Sequence, residues 1–361
     1  MATFEIINKS EIVNDSCFNC TPTLRENSRS QLYVSAFISV IGIVLNVMIC
    51  YAIVKEKLLK SSIYIFIFNI CISDIITLIS LIVNALVAAL KSNADTFTIK
   101  EATCKISTYI LSMSFNVSTL SLMTLAIDRY YIILDNHDFK SPLRGKYRVK
   151  VVIGCIWIYA LIVNSPQLHL LHITPDVSAT CDVYYYSDNY NIPYFIIIFI
   201  LNYCIPLLIM IVMYTSIIIH LKVAVVDRNL NSSNGADIQV NRKRSISVIK
   251  MIVIATVIYM ITSFPVPVIM VAAALKRMTI TQLRQTIHPV LSSLVTAGLA
   301  ISIICCLQNP IIYFLFNSTL RKAVIKNCYP CHRRRKCDPD YNVQLIQVST
   351  QQPRLHSLST L

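Results

Sequence analysis

Long uncharged stretches alternate with short polar ones along this chain. Runs of about 20 or more residues with at most one charge fall at Tyr33–Val54, Ser61–Leu90, Ile106–Ile127, Val151–Leu171, Tyr190–Leu221, Met251–Leu275 and Val290–Phe316. A helix rises about 1.5 Å per residue, so roughly 20 apolar residues cross the hydrocarbon core of a bilayer. The pattern predicts an all-α membrane protein, a bundle of seven transmembrane helices over residues 33–316. After the last run, Phe316, Leu320, Val324 and Cys328 recur every four residues while Arg321, Lys322 and Lys326 face elsewhere. That spacing predicts a short amphipathic helix over 317–328, lying on the membrane surface and touching its lipids. Residues 1–32 and 329–361 are polar and are expected to be a flexible N-terminus and a disordered tail.

Polar residues inside the runs fall in a pattern of their own. In the third run, Ser114, Ser118, Ser121 and Asp128 are spaced by four, three and seven residues and line one helical face, which points into the bundle. That run ends abruptly in Asp128-Arg129-Tyr130. Asn46 is the one strong polar group of the first run, and the second carries Asn69, Asp74 and Asn84. A mid-membrane carboxylate costs on the order of a few kcal/mol, so Asp74 needs interior partners and is either a functional position or a structural helix-to-helix hydrogen bond. Pro166, Pro206, Pro265, Pro267 and Pro310 lie inside runs and predict kinks there.

Composition agrees: 55% of the 361 residues are hydrophobic. The formal charge of +14 would suit nucleic acid in a soluble protein, but here it sorts by side. The segments before the first run and after the second, fourth and sixth hold nine Lys and Arg, and the others hold 23. Positive charge belongs in the cytoplasm, which puts the N-terminus outside and leaves nucleic acid without a role. Met1 to Cys20 contain no apolar core, so the first run is expected to act as its own insertion signal. Asn8, Asn14 and Asn19 open glycosylation sequons on the outer side. Cys17 and Cys20 there suit a small disulfide better than a metal site. Cys104, at the outer end of the third run, and Cys181, in the loop after the fourth, share the oxidising compartment and should be joined. Close by, Tyr184, Tyr185, Tyr186, Tyr190 and Tyr194 read equally as ligand contacts or as an interfacial belt.

On the inner side, Cys328, Cys331 and Cys337 follow the amphipathic helix in a basic context that suits lipidation. The spacing Cys328-x-x-Cys331-His332 also matches haem attachment or, with Cys337, a zinc site, both less fitting beside a membrane. The tail offers Ser349, Thr350, Ser357, Ser359 and Thr360 to kinases, and Ser359-Thr360-Leu361 resembles a terminus that adds to a PDZ groove.

These landmarks resemble the rhodopsin-like (class A) G-protein-coupled receptors over about Tyr33 to Cys331. One landmark falls in each run: Asn46; Asp74; Cys104 with Asp128-Arg129-Tyr130; Trp157; Pro206 with Tyr214; Pro265; and Asn309-Pro310-Ile311-Ile312-Tyr313. The resemblance implies a plasma-membrane receptor and no enzyme. It implies that Asp128 holds Arg129 until the sixth span swings outward and a heterotrimeric G protein enters, with Tyr214 and Tyr313 then reaching toward the arginine. It also implies a sodium pocket at Asp74, Ser118 and Asn309, no other cofactor, and arrestin and receptor kinases acting at the tail.

Several residues depart from the family pattern. The aromatic switch of the sixth span falls at Ser263, with Tyr259 or Phe264 as substitutes. No acid stands between Asp237 and the end of that span, so Arg129 is expected to have one restraint, Asp128, and basal signalling to be raised. Cys305 and Cys306 replace polar residues near the sodium pocket, and Asn136 and His137 alter the second inner loop.

Leu111 stands where amine receptors place an acid, and no lysine lies in Val290–Phe316, which excludes amines and retinal. What remains is an apolar pocket of Leu111, Phe115, Ile198, Val266 and Leu299 with Ser112, Asn202 and Asn84 as polar contacts. Tyr184 and the acids Asp176, Asp182 and Asp188 line one rim, and Lys276, Arg277 and Arg284 the other. Opposed rim charge favours a peptide, and the overall look is nearest the neuropeptide branch. A lipid-like ligand is the rival, and a seven-span transporter or channel with Asp74 on the ion path is the reading from another class.

Overall fold

A computed structural model of the chain describes residues 22–89, 94–134, 145–173, 181–230 and 236–328. Helix α1 (Pro22–Lys55) is followed by α2 (Ser62–Ala89), α3 (Ala94–Ile133) and α4 (Lys146–Asn164). A single turn, α5 (Gln167–Leu170), leads into the hairpin β1 (Leu171–Ile173) and β2 (Cys181–Val183). The fifth span is α6 (Asp188–Phe199), a π turn (Ile200–Cys204) and α7 (Ile205–Leu230); the sixth is α8 (Ala236–Ser263) and α9 (Pro265–Leu275). The short α10 (Ile280–Thr286) precedes α11 (Pro289–Phe316), and α12 (Ser318–Cys328) follows it. Among the described residues, six spans are long and apolar enough to cross a membrane, and α11 makes a seventh when its two halves, bent by 42° between Ile301 and Ile303, are taken together.

α1 begins at Pro22, inside the segment expected to be flexible, because a proline at the first helical position already has the φ a helix requires. The expected proline kinks are realised in three different ways. Pro166 ends the fourth span at Asn164 instead of bending it; the Ile162 carbonyl that Pro166 cannot reach accepts from Ser165 N and Ser165 Oγ at 3.2 and 2.8 Å. Pro206 follows the π turn, and Pro265 marks the α8–α9 break, where Gly298 of α11 packs so closely that a Cβ on it would lie 2.7 Å from Pro265 Cβ. Pro310 produces no break. The carbonyl it leaves free, that of Cys306, accepts from Asn46 Nδ2 of α1 at 3.0 Å, so the hydrogen bond is replaced and the bend of α11 lies two turns earlier.

α3 runs through the middle and touches α2, α4, α7, α8 and both strands. Its serine face points inward as expected: Ser114, Ser118, Ser121 and Asp128 are all buried. Trp157 of α4 donates through Nε1 to Asn69 Oδ1 (2.9 Å), and Asn69 Nδ2 donates to Ser121 Oγ (2.9 Å), so one amide braces three helices. Interhelical hydrogen bonds of this kind contribute about 0.6 kcal/mol each in membranes. The main apolar core packs Phe66, Ile70, Leu122, Met210, Tyr259 and Tyr313 at mid-bundle.

Candidate functional site

Three polar constellations lie along α3. At one end, the carboxylate of Asp128 pairs with the guanidinium of Arg129, and a second residue closes the clasp: Ser62 Oγ, at the start of α2, donates to Asp128 Oδ2 (2.8 Å) and accepts from Arg129 Nη2 (2.9 Å). The expectation of a single restraint is therefore corrected. A serine bridge from α2 is the second hold, which no charge pattern could have revealed because the hydroxyl is neutral. Tyr130 packs edge-on against Tyr131. Neither Tyr214 nor Tyr313 bonds Arg129 among the described residues: Tyr214 shares a hydrogen bond with Thr256 (2.9 Å), and the hydroxyl of Tyr313 is buried with no partner among them.

At mid-bundle, Asp74 accepts from Ser118 Oγ (3.2 Å) and Asn309 Nδ2 (2.9 Å), and the thiol of Cys306 lies against it. Asn309 Oδ1 is buried with no partner among the described residues, leaving an oxygen acceptor beside a carboxylate and a hydroxyl. Such an oxygen-rich donor set fits a small hard cation, although the two cysteines add no ligand of that kind. One level further along, Tyr259 is the buried aromatic of the sixth span. It stacks on Phe115 with ring centroids 5.6 Å apart, donates to the Phe115 carbonyl (3.1 Å) and shares a hydrogen bond with Thr119 (3.2 Å). Of the two substitutes named for the missing indole, Tyr259 is thus the buried one, whereas Phe264 is 47% exposed.

At the other end, Cys104 and Cys181 are joined, tying α3 to the β1–β2 hairpin. The hairpin is fastened again one residue on. Asp182, expected as a rim charge for a ligand, is buried and accepts from three backbone N–H groups: Val183 (2.7 Å), Ile280 (3.0 Å) and Thr281 (2.7 Å). Ile280 and Thr281 open α10, so this carboxylate caps that helix from a different loop. Thr279 and Gln282 complete a reciprocal capping box at the same terminus, a T-x-x-Q signal that was legible in the sequence. Asp188, the next rim acid, pairs with Arg277. Of the expected opposition of charge, Asp188 and Arg277 thus satisfy each other, and Asp182 is taken up by backbone. Lys276 is exposed without an ion pair among the described residues, Arg284 is half-buried on α10 with its Nε unpartnered among them, and the rings of Tyr184, Tyr186 and Tyr190 are exposed. These rings pack with His169 and His172 at centroid distances of 5.6 to 6.4 Å.

The apolar positions assigned to a pocket, Leu111, Phe115, Ile198, Val266 and Leu299, are all half-buried, as is Ser112. Asn202 is buried in the π turn, accepts from Tyr159 (3.0 Å) and has an amide N–H₂ with no partner among the described residues; Asn84 accepts from Ser107. Asn8, Asn14, Asn19, Asn136, His137, Asp176, Cys331, Cys337 and the terminal Ser359–Leu361 lie outside the described residues.

Residues 45–313 match the family model of the 7 transmembrane receptor (rhodopsin family).

Proposed function

The chain belongs to the rhodopsin family of seven-transmembrane receptors, and from that premise we propose that it binds an extracellular peptide at the disulfide-bearing end and activates a heterotrimeric G protein at the Arg129 end. Proteins of this family signal without being enzymes, and this one is a multi-pass membrane protein. In the proposed arrangement it sits in the plasma membrane, glycosylated N-terminus outside, with the acylated tail inside and open to receptor kinases, arrestin and a PDZ partner.

The observation that carries this reading is the contrast in how α3 is held at its two ends. Opening the Arg129 clasp requires breaking one ion pair and one serine bridge, and outward movement of α8 would then expose the guanidinium to a G-protein helix. Tyr214 would have to leave Thr256 to follow it. Held by Asp74, Ser118 and Asn309, a sodium ion would neutralise the buried carboxylate and favour the closed clasp.

For the ligand, Arg284, whose Nε has no partner among the described residues, and the exposed tyrosines at the disulfide-bearing end favour a peptide with an acidic side chain or a free carboxyl terminus. The largely apolar positions below favour, as a second reading, a lipid-like acid. A peptide library and a fatty-acid panel, applied to cells expressing wild type or Arg284→Gln, separate the two. A peptide hit weakened by the substitution supports the first reading; a response to the acids alone replaces it with the second. Arg129→Ala should abolish G-protein activation at unchanged surface level, and full activation by that variant would remove the proposed role of Arg129.

A further inference from the structure

The hairpin beside the disulfide carries a second, titratable hold on α3. β2 is tied to α3 through Cys181 and Cys104, and Cys104, Leu171, Ile173 and Val183 pack together around that bond. β1 is tied to the same helix separately, through a residue one turn before Cys104. His172 Nδ1 lies 3.2 Å from Glu101 Oε1, and Glu101 pairs in turn with Lys105 Nζ at 2.7 Å. The other ring nitrogen, Nε2, lies 3.1 Å from the backbone carbonyl of His169 in α5. The imidazole therefore sits between a carboxylate and a carbonyl, and both can only accept a hydrogen bond.

A neutral imidazole has one N–H and an imidazolium has two. In the neutral ring, whichever nitrogen donates, the lone pair of the other faces an oxygen. Only the protonated ring satisfies both contacts, and it also sets a positive charge beside Glu101. The remaining neighbours leave that geometry in place. Tyr184 packs edge-on against the imidazole at 5.8 Å, and Asp182, opposite His172 in the strand register, gives its carboxylate to the backbone of Val183, Ile280 and Thr281. Lys105 reaches Glu101 from within α3, Lys100 of the same stretch is buried, and the ring of His169 packs with Tyr186 and Tyr190. The His172 side chain is 43% exposed, so water can deliver and remove the proton. We propose that His172 is a proton-operated fastening, which binds a proton from the fluid at the disulfide-bearing end, bolts β1 to α3 in that form and loosens β1 on releasing it. Histidine is the side chain whose charge ordinarily changes between about pH 5 and 8, so the second hydrogen bond is present in mild acid and is lost as pH rises. In the proposed arrangement that fluid is extracellular and the hairpin borders the ligand mouth, so ligand binding would follow external pH.

The test is amide hydrogen exchange across β1 in the full chain in neutral detergent, at about pH 5.5 and about pH 7.5, corrected for the intrinsic pH dependence of exchange. Protection should be about tenfold greater at the lower pH, the worth of one charge-assisted hydrogen bond. His172→Gln, neutral throughout, should show the low protection at both values. His172→Arg, charged throughout, should show the high protection at both, which separates charge from folding. Glu101→Gln should remove most of the difference, and His169→Gln should leave it intact, because His169 gives the site a backbone carbonyl and not its ring. Equal protection of wild-type β1 at both values would overturn the proposal. So would a difference that survives in His172→Gln or vanishes in His169→Gln. Both ends of the chain meet the same buffer in detergent, so the result is independent of whether the disulfide-bearing end lies outside the cell.

Discussion

The two ends of α3 are secured by different chemistry. At one end a disulfide joins Cys104 to the hairpin, and Asp182 immediately fastens that hairpin to the backbone of α10. The covalent tie is not released by a change of side-chain rotamer, and the carboxylate would have to leave three backbone N–H groups at once. At the other end the fastening is a side-chain cluster, Asp128–Arg129–Ser62, whose members can release one another by rotating about χ angles. A molecule built in this way concentrates its movement where the fastening is weakest, and among the described residues the Asp128 carboxylate and the Ser62 hydroxyl are what hold Arg129 there.

The largest effect should come from cutting the strong end. Cys104→Ser opens a loop of sequence separation 77, which costs about 4.5 kcal/mol on the chain-entropy model. Loss of most correctly folded receptor from the cell surface would report it, and surface levels equal to wild type would erase the contrast between the ends. Asp182→Ala should cost about 2 kcal/mol, because it orphans the three N–H groups the carboxylate now serves. Thermal denaturation in detergent measures it; an unchanged midpoint would mean that α10 keeps its place without the cap.

At the weak end, Ser62→Ala removes one hydrogen bond to each partner, about 1 kcal/mol in the closed form, and should raise ligand-independent second-messenger output about fivefold. Output that stays at the wild-type level would return Arg129 to a single restraint. The smallest effect concerns α12. Because the Glu56 carboxyl is held below the usual range by Asn327 and Lys326, its contribution is present above the ordinary carboxylate pKa and is lost as pH falls through the lowered folded value. Hydrogen exchange across Ser318–Cys328 should therefore accelerate only in that acidic window, while α3 stays protected.

Much of this architecture was legible in the sequence, because membrane burial writes itself as long uncharged runs and inward faces as polar residues at helical spacing. The resemblance to the receptor family grouped Asp74, Ser118 and Asn309, and the structure brings them together. Neutral and backbone partners were not legible. Ser62 carries no charge, the carbonyl of Cys306 exists at every residue, and Asp182 is chemically identical whether it faces a ligand or a helix terminus. Prolines announced disturbed hydrogen bonding at five positions, yet Pro166 stops a helix where Ser165 takes the freed carbonyl, whereas Pro310 leaves one unbroken where Asn46 takes it.

The π turn at Ile200–Cys204 sets a constraint of its own. A π turn places one extra residue in the helical count, so positions above it are rotated by about 100° relative to an uninterrupted α-helix. Asn202 and Tyr203, which reach Tyr159 and the Met260 carbonyl from inside this turn, owe their directions to that offset. Deleting a single residue between Ile200 and Cys204 would let the fifth span anneal into a regular helix and swing the whole of α6, with its tyrosines and Asp188, a quarter-turn or more around its own axis. Length, more than side-chain identity, is what this part of the chain has least freedom to change.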